Sequence, residues 1–203
     1  ASGRRDRPGS AADRQPRRDL NEQVLETASP VHSHAEDFRK IVAAEMREVL
    51  AGAETTGELD WPTFAEGWFR MVRCVVLGRS ARDDQAIGAL MERLRSRANW
   101  AFMMPKSERL RDELHERLQA YVDRAEPGSL ASMAASMPQS GAATHQMTQW
   151  LLAFDPAGMT TFRALALITA HPEALSRSLQ EVEERGGNEP AYLRACILET
   201  LRL

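Results

Sequence analysis

From Ser33 onward, apolar residues recur at helical spacing almost without interruption. Phe38, Ile41, Val42, Met46, Val49 and Leu50 obey the i, i+3, i+4 rule. This predicts a helix started by an S-x-x-E capping box, Ser33 with Glu36, and stopped at Gly52. Asp60 with Pro62 in the first turn predicts the next helix, whose apolar face runs from Phe64 through Trp68, Met71, Val72, Val75 and Val76 to Gly78. Further helices are expected from about Asp83 towards Ala98, from Ser107 through Tyr121 until Pro127-Gly128, and briefly around Leu130 to Met137. After the loop-like PQSGAAT comes the most apolar segment, a long helix from near Thr144 to His171-Pro172. Pro172 to Arg185 forms another helix, Gly186-Gly187 ends it, and Asn188 caps the last. No segment alternates with period two and none repeats, so the fold class is mostly α. The chain divides into an N-terminal stretch at 1–32 that is disordered or frayed or else the remnant of a helix, a helical segment at 33–143 and a terminal helical segment at 144–203.

Inside the long helix the pattern carries a defect, FDPAGMTTF at 154–162. Proline and glycine each cost roughly 1 to 3 kcal/mol relative to alanine in a helix interior. Pro156 removes the amide that would bond the carbonyl of Leu152, and Gly158 strips the side chain from one face. Thr160 and Thr161 are placed to bond back to the carbonyls of Pro156 and Ala157. Such a place admits a small polar molecule beside the backbone. It also suits a plain kink where two core helices cross.

Composition narrows the classes. With 203 residues, 43% hydrophobic and 27% charged, the chain suits one globular domain with a sizeable core. A net charge of -3 with interleaved signs gives no basic face for nucleic acid. Positive charge is almost all arginine, Lys40 and Lys106 being the only lysines, which suggests a GC-rich bacterial genome. Cys74 and Cys196 lie in helical patterns without C-x-x-C spacing, which fits a reducing cytoplasm and the role of small buried hydrophobes. No run reaches the roughly 18 apolar residues of a membrane span, because Asp155, Arg163 and His171 interrupt the best one. His32 and His34 are two apart, and His115, His145 and His171 are scattered, so no histidine metal site is expected.

Two motifs carry a resemblance. AGMTT at 157–161 resembles the A-G-x-x-T oxygen-binding motif of the cytochrome P-450 family, and ETLR at 199–202 resembles its E-x-x-R. Other E-x-x-R copies occur at Glu36/Arg39, Glu92/Arg95 and Glu108/Arg111, and read as surface pairs. The copy at Glu199/Arg202 differs by its place, one helix after the A-G-x-x-T helix, which is the family's order of I, J and K helices. The resemblance implies a partial P-450-type fold, from about the C or D helix through the K helix. It also implies haem b in the full-length protein, and insertion of one atom of O2 into a small organic substrate. A ferredoxin and its reductase are the implied redox partners, and the cytoplasm the implied location. Ala157 and Gly158 would face the haem, and Thr161 would hydrogen-bond the oxygen during proton delivery. Glu199 and Arg202 would be a structural pair, and Arg18 in RQPRRDLNEQVL would reach a haem propionate, with Arg14 at the usual aromatic position, the other reading of these arginines being a solvated cluster at a frayed end. Trp100, Phe102, Met103 and Met104 would contribute to a pocket ceiling, and core packing of an apolar loop entry explains them equally well.

Two departures from the family stand out. Thr160 occupies the position that is commonly acidic, and a hydroxyl cannot supply a carboxyl proton at neutral pH. The haem-binding cysteine loop is not within these residues, so the chain reads as a piece of a longer protein that is inactive alone. The competing expectation is a non-catalytic, all-helical ligand-binding or regulatory domain.

Overall fold

The computed structural model describes residues 11–99, 107–138, 142–185 and 190–202. Among these, the architecture is entirely helical: α1 Ala11–Val24, α2 Ala35–Thr56, α3 Trp61–Leu77, α4 Gln85–Asn99, α5 Glu108–Arg124, α6 Leu130–Ala135, α7 Ala143–Ala170, α8 Pro172–Arg185 and α9 Ala191–Thr200. The mostly α class expected from the pattern is therefore observed. A single turn of 3-10 helix, Arg79–Ala81, leads from α3 towards α4.

The core lies where α3 and α7 cross, and α3 also packs along the length of α2. Val72, Val76 and Leu77 of α3, Leu118 of α5 and Met147 of α7 are almost completely withdrawn from water. Burial of five such side chains supplies the main driving force, at about 1.5 to 3 kcal/mol each. α7 packs against α1, α3, α5 and α6, and α8 and α9 pack against it and against each other. By length and composition alone α7 also passes as a membrane span, with a mean hydropathy of 1.3 in its best window. The interruptions at Asp155 and Arg163 are thus insufficient to disqualify it.

Several boundaries differ from the pattern. Of the two readings of the N-terminal stretch, frayed or helical, residues 11–24 take the helical one as α1, because Leu20 and Val24 are fully buried against the core. α2 does not stop at Gly52 but runs to Thr56, and Gly57 ends it with φ of 80°. Helix termination needs a residue that accepts the left-handed conformation at that place, and Gly57 supplies it. The Ser33/Glu36 capping box does not form. Ser33 instead donates both its amide and its hydroxyl to Glu26, and α2 starts at Ala35 after His34. Asp60 caps α3 as expected, accepting from the Thr63 amide at 2.9 Å. The stop at Gly186-Gly187 and the Asn188 cap lie outside the described residues. The first turn of α9 is nevertheless capped, by the Glu181 carboxylate of α8, which accepts from the amides of Tyr192 and Leu193.

Candidate functional site

Pro156 has no amide to give the Leu152 carbonyl, yet α7 passes through it as one helix. What stands beside the defect is α3. The indole of Trp68 donates to the carbonyl of Phe154 at 2.9 Å, two residues before the proline. Its ring lies so close to Gly158 that an added Cβ would meet Nε1 at 2.7 Å. Gly158 is therefore the position that lets the two helices touch, and it is buried. Around this crossing, Phe64 stacks on Trp68 at 5.7 Å and Phe162 meets both Trp61 and Phe64. The glycine thus has a packing cause, the close helix crossing that the sequence leaves as one of two explanations.

Around the helix from Gly158, Ala157 and Thr161 share another face, one turn apart. Ala157 is exposed and Thr161 half-buried, with Ala153 and Leu165 extending the same strip. The Thr161 hydroxyl donates to the carbonyl of Ala157 at 2.8 Å, the back-bond expected of it. Thr160 is half-buried, and its expected bond to Pro156 is not formed among the described residues. Gly158 does not look out beside Ala157. At about 100° per residue the two point to different sides, and Trp68 fills the glycine's side.

Asp155 points to a third side, where it forms an ion pair with Arg95 of α4. Arg95 also pairs with Glu92 at 3.6 Å. A cavity of about 450 Å³ lies between α3, α4 and α7, walled by Trp61, Phe69, Met91, Leu151 and Met159 with this ion pair at its polar side.

The other expected residues lie apart from α7's defect or bond within their own helix. Glu199 and Arg202 pair with each other at 3.0 Å, both well exposed. Arg18 is exposed on α1 and bound to Glu22 at 2.7 Å. Cys74 is buried in the α3 core, where burial, aided by the charge of Glu45, pushes its thiol up to about 11. Cys196 is half-buried on α9. Trp100, Phe102, Met103 and Met104 lie outside the described residues.

Three arrangements escape a linear reading. Glu45 is buried and binds Arg70 at 3.2 Å and Arg82 at 2.6 Å, joining α2 to α3 and to the segment after the 3-10 turn. Its spacing of four from Ile41 and Val49, both on the buried face, is the signal that would have found it. His115 and His145, 30 residues apart in sequence, bring their rings to 5.1 Å across α5 and α7. Burial first, then the neighbouring His115, holds the pKa of His145 below its ordinary value. Trp68 reads as one more core aromatic until its donor finds Phe154. No group of three or more metal-ligating side chains occurs among the described residues. No protein-family model matches the chain, and no curated protein or solved structure matches it significantly.

Proposed function

We propose that these residues form the oxygen-side part of a haem-dependent monooxygenase of the cytochrome P-450 type, which in its full-length form inserts one atom of O2 into a small organic substrate. The observation that supports the reading is the strip on α7 where Ala157 and Thr161 stand together on an open face beside a proline. Small side chains leave room for a flat macrocycle, and a hydroxyl one turn further on is placed to hold a proton. Thr161 already shows the required versatility, since its oxygen keeps acceptor capacity while its hydrogen rests on Ala157.

A thiolate-ligated haem supplies oxygen activation and C–H oxidation when bound. The residues fit one wall of such a group but not its axial ligand. Cys74 is a buried thiol whose pKa is raised to about 11, the wrong direction for a thiolate. Cys196 sits within a helix rather than a loop. In this reading the thiolate comes from outside residues 1–203. Asp155 is held by Arg95 away from the strip, so the proton route runs through hydroxyls and water at Thr160 and Thr161. Arg18 and the Glu199/Arg202 pair remain supporting residues, the first for a propionate and the second for structure. A ferredoxin with its reductase is the electron source that this chemistry asks for.

The full-length protein is expected to bind stoichiometric haem with a thiolate-type carbon monoxide spectrum, whereas residues 1–203 alone are not. Thr161→Ala is expected to lower product formation by about 10²-fold with haem content unchanged, and Thr161→Ser to restore most of it. Full-length protein without haem, or an alanine variant as active as the parent, defeats the proposal. The second reading, a non-catalytic ligand-binding helical domain in the cytoplasm, is favoured by the cavity between α3, α4 and α7, and would stand if haem did not bind.

A further inference from the structure

The cavity between α3, α4 and α7 lies on a different side of α7 from the Ala157/Thr161 strip, and its construction is specific. Gly88 lies within α4, where a glycine is less favourable than alanine. No atom would come within 4 Å of a Cβ placed there, so close packing does not require it. Gly88 lines this cavity. Gly88 is itself exposed, which puts it at the mouth of the cavity, where a large side chain would narrow the entry.

The charge at the cavity is balanced. Arg73 and Arg95 face Glu92 and Asp155, two cations against two anions. Arg73 is already committed, its guanidinium donating to the carbonyls of Ala81 and Arg82. Arg95 is committed to Asp155 and Glu92. Nothing is left over to favour an ionic guest. Asp155, however, has lone pairs beyond those used by one guanidinium, and remains partly accessible. Trp61, Phe69, Met91, Leu151 and Met159 provide apolar wall, and a volume of about 450 Å³ is that of a small-molecule site.

We propose that this cavity binds a neutral, largely apolar small molecule carrying one hydroxyl group, which donates to Asp155 beside Arg95. The site does not depend on a haem and is separate from the strip on α7. Met159 and Asp155 flank the turn that holds Gly158, so an occupant touches the same stretch of α7 that Trp68 braces from α3.

Calorimetric titration of the full chain with 2-naphthol, naphthalene and 2-naphthoate tests it. One equivalent of 2-naphthol is expected to bind about tenfold or more tightly than naphthalene, the difference expected for a hydrogen bond to a charged group, and 2-naphthoate more weakly than 2-naphthol. Asp155→Asn is expected to bring 2-naphthol down towards naphthalene while leaving naphthalene unchanged. Gly88→Leu is expected to weaken binding of both severalfold with a melting temperature at or above the parent's, since it replaces a helical glycine in open space. Ala65→Leu, on the opposite wall, repeats the test from α3 if the first variant folds poorly. Absence of 2-naphthol binding, or undiminished binding in a folded Gly88→Leu or Ala65→Leu protein, overturns the proposal. Equal losses for both ligands in Asp155→Asn overturn the hydroxyl contact. None of these measurements reads haem, so failure here leaves the monooxygenase reading untouched.

Discussion

A single hydrogen atom on Gly158 stands where any other residue would put carbon against an indole. Gly158→Ala would place a Cβ 2.7 Å from Nε1 of Trp68, and the ring would have to leave its bond to Phe154. The expected cost is about 1 to 3 kcal/mol, read as a fall in the urea midpoint without a change in slope. The gain of alanine over glycine in helix propensity opposes this and is smaller. A cost near zero would mean that the indole moves freely. The sequence made Pro156 and Gly158 conspicuous because they break a helical pattern where they stand. It could not identify Trp68 as the cause, because an aromatic at helical spacing looks the same whether its N–H is used or not. For Ala157 and Thr161 the helical period already separates their face from that of Gly158, while only the fold shows that Trp68 fills the glycine's side.

Among elements, the join between α2 and α3 depends on a carboxylate as well as on apolar packing. Glu45 holds Arg70 and Arg82 with its side chain only 7% exposed. Removing one partner of a buried ion pair leaves the others unmatched. Glu45→Gln is expected to cost about 3 kcal/mol, measured by thermal or chemical denaturation. Glu48→Gln, whose side chain is 59% exposed, is expected to cost well under half of that. Helix existence was largely readable, since the period of Phe38 through Leu50 and of Phe64 through Val76 survives in α2 and α3. Helix ends were less so. Ser33 satisfies the capping-box pattern but is taken by Glu26, a residue with φ of 47° in the preceding turn. Local motifs state which bonds are available, and the approaching chain decides which are made.

Over the whole molecule, acid is expected to loosen the contact between α5 and α7. The folded pKa of His145 lies below its ordinary 6.5, through burial and then through His115. The unfolded chain therefore binds that proton more readily than the folded one. The associated stability is present above about pH 6.5 and is lost as pH falls towards the folded value. His145 keeps much of its surface in water, so the loss is small, visible as a decline in melting temperature between about pH 7 and pH 5. His145→Gln is expected to flatten that decline. An unchanged slope in the variant would place the acid sensitivity elsewhere. Neither histidine could be paired from the sequence, because proximity across 30 residues depends on how α5 and α7 pack.

The Pro156 defect also has a mechanical meaning. The carbonyl of Leu152 has lost its amide and that of Phe154 is shared with a side chain from α3. α7 is then less a single rod than two rods meeting at a joint, with Trp68 as the splint. α3 spans the joint, reaching Phe154 before the proline and Phe162 after it, and α8 and α9 also pack on α7. Any torque applied through those last two helices is concentrated at the joint, and α3 is the element that feels it first.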